Sequence, residues 1–305
     1  MQRVIKIITW IIGILIGFMV VIAASVIIDQ GMGVNRLDGI TNTVIPNGSN
    51  PAIRAYVARP SGTGPFPVVI MVHEWWGLKA EIAGKADALA KDGYIVVAPN
   101  LFRGNTTDWF PTAIWQVSNT PTTQIDGDLD AVLQWINNQP DANRNQIAIM
   151  GFCFGGGTAL RYSVNTPAIT ATAVFYGSVI TDPAELKKIQ GPVLGIFGGA
   201  DTMIPQKDVS AFDDGLTAAG IPHQVTTYDG EPHAFVKSIA EINKGGNQQK
   251  AWNQLREFLA KAFSGQAMSR QYRLANHQQP IDVAAQQFIT PNRWLHQFVC
   301  DKTVK

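Results

Sequence analysis

Residues 147–160 read IAIMGFCFGGGTAL. The first half is a continuous apolar run, as expected of a strand buried on both faces. The second half suits a helix, and between the two Gly151 and Gly155 bracket Cys153. A strand that turns sharply into a helix brings two backbones together and tolerates little side-chain bulk, which accounts for the glycines. The residue at the apex is held at the carboxyl end of the strand, facing the positive end of the next helix.

The same strand–helix alternation continues on both sides. Strands are predicted at PFPVVIMVH (65–73), YIVVAPN (94–100), QIAIM (146–150), ATAVFYG (171–177), PVLGIFGG (192–199) and HQVTTYD (223–229). Helices are predicted around AEIAGKADALAKDG (80–93), DGDLDAVLQWINNQ (126–139), the segment after Cys153, AELKKI (184–189), DVSAFDDGLTAAG (208–220) and QKAWNQLREFLAKAF (249–263). An Asn-Gly turn in PNGSN (46–50) predicts a hairpin between TNTVI and AIRAYVARP. Such alternation implies an α/β fold with a mostly parallel sheet and helices on both faces. Residues 44–263 read as one domain, and 264–305 as an appended Gln- and Asn-rich tail of unassigned role.

The N-terminus has a different character. From Ile7 to Ile28 no residue is charged, and an uncharged apolar run of about 20 residues is what a helix needs to cross a bilayer. The segment predicts one transmembrane helix (about 7–28, within residues 1–28), followed by a Gly- and Asn-rich linker at 29–43. Arg3 and Lys6 precede the run and Asp29 follows it, so the positive-inside rule places the N-terminus in the cytoplasm and the body outside. Cleavage after the small residues at 23–25 would instead release a secreted body. The run continues apolar past that site, which favours a retained anchor.

Composition excludes several alternatives. The 305 residues are 46% hydrophobic and 15% charged, with a net charge of +1. Without clustered cations a nucleic-acid partner is not expected. The two cysteines, Cys153 and Cys300, cannot form a disulfide framework and neither has metal-ligand spacing, so neither a metal nor a cofactor is expected. The two thiols are expected to be unpaired in active protein.

Ligands of open α/β sheets gather beyond the carboxyl ends of the strands, and three chemically apt residues fall there. Cys153 follows QIAIM, Asp201 follows PVLGIFGG, and His233 follows HQVTTYD. G-x-C-x-G matches the nucleophile elbow with sulfur in place of hydroxyl, and the order nucleophile, acid, histidine is that of the α/β-hydrolase triad. In that arrangement His233 takes the thiol proton, Asp201 holds the ring, and the Phe154 N–H serves as an oxyanion donor. His223, at a strand start, and His277 and His296, in the tail, compete poorly. Beyond the strand 65–73, His73 and Glu74 stand beside Trp75 and Trp76; Glu74 is placed to help remove the thiol proton, and the tryptophans to line an apolar pocket. Trp109 and Trp115, in the long connection 101–124, are candidates for a lid.

The motifs HEWWGL, APNLFRG, GFCFGG, GGAD…IP and PHAF, in this order, make residues 44–263 resemble the dienelactone hydrolase family. The resemblance implies an α/β-hydrolase fold and a Cys-His-Asp triad that opens lactones and cleaves esters. It implies Cys153 as nucleophile, His233 as base, Asp201 as its orienter, Glu74 as the active-site glutamate, and the Trp75 and Phe154 N–H groups as the oxyanion hole. Dienelactone enzymes grip a substrate carboxylate with two arginines; here Arg103 is offset by one position and Lys237 replaces the second. Lysine cannot match arginine's bidentate grip, so a different small ester or lactone is expected, with Arg103, Lys237 and Trp76 as substrate-binding candidates. A thioester or acetylated glycan is the rival substrate, and a non-catalytic binding protein is the rival class.

Overall fold

A computed structural model describes residues 2–264. Most of the expected tail, with Cys300, His277, His296 and the question of thiol pairing, lies outside the described residues. The strands are β1 (Thr43–Ile45), β2 (Ile53–Ala58), β3 (Phe66–Val72), β4 (Ile95–Pro99), β5 (Ala142–Phe152), β6 (Ala171–Phe175), β7 (Val193–Gly198) and β8 (His223–Tyr228). They form one sheet in the order β1-β2-β4-β3-β5-β6-β7-β8. β3 to β8 run parallel, and the hairpin β1–β2 joins antiparallel at the β4 edge. This is the expected α/β-hydrolase architecture.

Two-residue periodicity decides which core each strand residue joins. Along β3, Val68, Ile70 and Val72 face one layer while Val69 and Met71 face the other. The first layer is covered by α4 (Thr122–Asn137), α5 (Phe154–Asn165) and α7 (Gln206–Ala219), through side chains such as Leu129, Leu160 and Phe212. The second is covered by α2 (Ala80–Lys91), α8 (Ile239–Ile242) and α9 (Gly246–Phe263), through Leu89, Ile242 and Leu255. A short α6 (Pro183–Leu186) occupies the segment read as AELKKI.

Two elements depart from the sequence reading. Within the connection 101–124 lies α3 (Phe110–Asn119), whose buried residues are Thr112, Ala113, Gln116 and Val117. Half of that inward set is polar, which hides the helical period. The first ten residues of the expected linker are also helical: α1 (Gln2–Asp38) runs unbroken through Gly31 and Gly33. Tertiary contacts override local propensity there. Asp29 pairs with Arg36 at 2.9 Å and accepts from the Thr107 hydroxyl, and Leu37 is fully buried. Gly33 lies against the Thr106 backbone, where an added Cβ would stand 3.0 Å from the carbonyl oxygen. Among the described residues α1 is the one helix long and apolar enough to cross a membrane, a test that a signal sequence also meets.

The elbow itself is the tightest point of the sheet. A Cβ on Gly151 would sit 2.1 Å from the Gly155 oxygen, and one on Gly155 2.4 Å from the Val72 oxygen. Neither backbone can yield without separating α5 from β3 and β5. Gly151→Ala is therefore expected to lower unfolding free energy by about 2–4 kcal/mol, as an overpacked buried site does. Urea denaturation of the full chain in mild detergent, compared with wild type, measures this.

Candidate active site

Cys153 occupies the apex between β5 and α5 with φ 53° and ψ −117°, a conformation that an L-residue adopts only under constraint. Its N–H donates to the Phe175 carbonyl at 2.9 Å, tying the elbow to the end of β6. Phe154 opens α5, so its amide points out of the helix N-terminus beside the sulfur. The side chain is buried.

Asp201 and His233 meet from two adjacent loops. Asp201 lies just past β7, and its Oδ1 accepts from the N–H groups of Met203 at 2.7 Å and Ile204 at 3.1 Å. Its Oδ2 pairs with His233 Nδ1 at 2.7 Å. An ionised carboxylate has only acceptors to offer, so the ring carries its proton on Nδ1 and keeps a lone pair on Nε2. Nε2 is buried and has no hydrogen-bond partner among the described residues. The Tyr176 ring packs edge-on against His233 at 5.3 Å, anchored by a 3.1 Å bond from its hydroxyl to the Val236 carbonyl. Burial, together with the nearby charges of Glu74, Cys153 and Asp201, drives the Tyr176 phenol far above its usual range and keeps it neutral.

The loop after β3 supplies the other wall. His73 is fully buried, its Nδ1 2.6 Å from the Glu74 carbonyl and its Nε2 accepting from the Leu101 N–H at 3.0 Å. Both nitrogens are thereby assigned, and the ring is a clamp between the β3 and β4 loops. The Trp75 carbonyl accepts from the Gln116 amide of α3, which fixes that peptide's orientation. Glu74 is half-buried; burial raises its pKa, while the charges of Lys85 and His233 pull it back down.

Lys85 belongs to the candidate site yet escaped the sequence reading. It is 2% exposed, and its ammonium lies 4.4 Å from the centre of the Phe152 ring, beside the elbow. Burial lowers its pKa to about 8, opposed by Glu74 and Glu81. The signal was a lysine on the apolar stripe of α2, in register with Ile82, Ala86 and Leu89. Tyr176 was legible too, at the carboxyl end of β6.

A cavity of about 480 Å³ opens beside this cluster, lined by residues including Glu74, Trp76, Lys79, Lys85, Asp108 and Lys237. Its volume suits a small organic ligand. Cys153 and His233 are not among the lining residues; Glu74 and Ala234, next to His233, connect the cavity to them. Lys237 and Trp76 thus reach the cavity. Arg103 does not: its guanidinium is held by the buried Asp128 at 3.0 Å, which also accepts from Asn47 at 2.7 Å. A buried carboxylate thus engages the Arg103 guanidinium. His223 binds the Ile221 carbonyl at 2.7 Å and Asp213 at 3.1 Å, away from this loop cluster. No cluster of metal-ligating side chains occurs among the described residues.

Comparisons with known proteins agree with this architecture. The sequence profile of the dienelactone hydrolase family matches residues 53–263. A Salmonella typhimurium protein provisionally named a carboxymethylenebutenolidase is 32% identical over 222 residues, covering 68% of this chain and 82% of the relative. A mouse carboxymethylenebutenolidase homolog is 31% identical over 191 residues, covering 60% of this chain and 76% of its own. A Klebsiella pneumoniae crystal structure, provisionally assigned as a dienelactone hydrolase, superposes with a TM-score of 0.64 at 27% identity, covering 73% of this chain and 98% of that one.

The His73 clamp has a pH signature. Burial lowers its pKa from 6.5 to about 4, so on acidification the unfolded chain takes up this proton before the folded one. The contribution is fully present above the unfolded value and is lost as pH falls towards 4, in all about 3 kcal/mol. His73→Asn should be about 1–3 kcal/mol less stable at neutral pH, and its stability should fall less steeply through that window. Urea titrations in mild detergent at several pH values compare the two slopes.

Proposed function

The chain belongs to the dienelactone hydrolase family, a hydrolase family acting on lactones or esters, and we propose that it does so through a covalent intermediate on Cys153. The observation that carries this reading is the Asp201–His233 pair with a buried and unengaged Nε2, joined to the strained cysteine elbow through Tyr176, which packs on His233 and feels the charge of Cys153. The Sγ–H proton passes to His233 Nε2 as sulfur attacks the acyl carbon. The developing oxyanion is met by the Trp75 and Phe154 N–H groups; the peptide that carries the Trp75 N–H is held in place by the bond between His73 and the Glu74 carbonyl. The C–O bond breaks as His233 returns its proton to the leaving oxygen; for a lactone, that alcohol stays tethered to the acyl group. Water then attacks the thioester, giving its proton to His233, and the carboxylic acid departs as the thiol is restored.

Glu74 supports the first step. A carboxylate beside the thiol assists its deprotonation; burial raises the Glu74 pKa, and the Lys85 charge opposes that rise. Lys237 and Trp76 face the ester's substituents in the adjoining cavity. With Lys237 alone and Arg103 committed to Asp128, the cavity lacks the two-arginine grip, which favours esters and lactones other than the carboxylated dienelactone.

The test is hydrolysis of short-chain aryl esters and simple lactones by the full chain in detergent. Cys153→Ala and His233→Ala should each lose at least about 10³-fold in kcat/KM, and the double variant little more, because the two act as a unit. Glu74→Gln should lose about 10–100-fold and change the pH profile of kcat/KM on its acid side. Unchanged turnover in Cys153→Ala would refute the covalent route. A folded wild type that neither turns over nor becomes acylated would favour a binding protein.

A further inference from the structure

The last turns of α1 and the loop before α3 are locked together next to the cavity. The Trp109 indole N–H donates to Ser25 Oγ at 3.1 Å, and Arg36 donates to the Thr106 carbonyl at 3.3 Å. The uncharged run Ile7–Ile28 spans about 33 Å, slightly more than the roughly 30 Å of a bilayer's hydrocarbon core. Ser25, one turn before its end, falls near where the helix leaves the hydrocarbon, and Trp109 is bonded to it there. Trp109, Phe110 and Trp115 are 44%, 43% and 43% exposed; beyond α1, Val44 is the one other exposed large apolar side chain among the described residues. Exposed apolar surface continues along α1 through Ile27 and Ile28. Tryptophan concentrates at the membrane–water boundary, where its ring is half in lipid and its N–H remains bonded.

This aromatic surface is continuous with the site. Phe110 packs edge-on against Trp75 at 5.4 Å, Trp75 against Trp76 at 5.0 Å, and Trp76 lines the cavity. Asp108, on the cavity wall, immediately precedes Trp109. We propose that Trp109, Phe110 and Trp115 bed on the bilayer interface, setting the cavity mouth at the lipid–water boundary, and that the substrate is an amphiphilic ester or lactone taken from that boundary. The inference rests on α1 spanning the membrane and on the hydrolase reading above. The body is held in one orientation by α1, which continues into it as helix; a flexible tether would leave the mouth free to face the solvent.

Two measurements on the full chain in phosphatidylcholine vesicles test it. The first compares tryptophan emission of wild type, Trp109→Phe/Trp115→Phe and Trp10→Phe, with lipid brominated at the headgroup end of its acyl chains. The emission lost in the double variant should be strongly quenched in the wild type. If that emission is unquenched while the Trp10 share is quenched, the helix is inserted but the aromatic face stands clear, and the proposal is overturned. Cover by residues 265–305 or by a second copy would give that same pattern. If neither share is quenched, α1 is not in the bilayer and the spanning reading fails with the proposal. The second measurement uses a long-chain aryl ester dissolved in the vesicles and a short-chain ester in water. Trp109→Ser/Trp115→Ser should lose at least about tenfold in kcat/KM on the first and stay within about twofold on the second. Equal effects on both would overturn the substrate assignment, and a wild type inert on both would point to failure of the hydrolase reading instead.

Discussion

The approach of α5 to the carboxyl ends of β3 and β5 governs the site. Gly155 sits against the Val72 and His73 carbonyls, at a distance no side chain could share. That contact goes with the positive φ of Cys153 and with the start of α5 immediately after it, at Phe154. One steric constraint thus orients Cys153, the α5 dipole and the Phe154 amide that the proposed chemistry uses. The β7 and β8 loops add the acid and the histidine, and Tyr176 at the end of β6 braces the ring. Glu74, Cys153, Asp201 and His233 each lie past the end of a parallel strand, and the sheet's order brings those ends to one side of the domain.

Electrostatics complete the arrangement. Asp201 spends its acceptors on two backbone N–H groups and one imidazole, leaving His233 a single tautomer. Lys85 and Glu74 are costly to bury separately and offset one another beside the elbow. His73 is a structural clamp, because both of its nitrogens are already engaged.

Much of this was legible in the residues. Apolar runs alternating with amphipathic segments predict the sheet, and the strand-end rule brings Cys153, Asp201 and His233 to one edge of it. What escaped depends on partners distant in sequence. Arg103 is taken by Asp128, 25 residues on, and no local pattern announces that pair. The Gly-rich stretch after residue 29 reads as a linker until Thr106 and Thr107 stand beside it. The inward face of α3 is half polar, so its helical period is hidden. Lys85 was visible in principle, as a charge on an apolar stripe, but its burial becomes meaningful only with Glu74 across the cavity.

The covalent intermediate is the account's central claim, and intact mass spectrometry followed by peptide mapping reads it most directly. The full chain would be mixed with an activated ester and quenched with acid within its first turnovers. The account predicts one acyl group added, located on the peptide containing Cys153, and absent in Cys153→Ala. Turnover with no adduct on that peptide, or an adduct on another side chain that persists in Cys153→Ala, would contradict it.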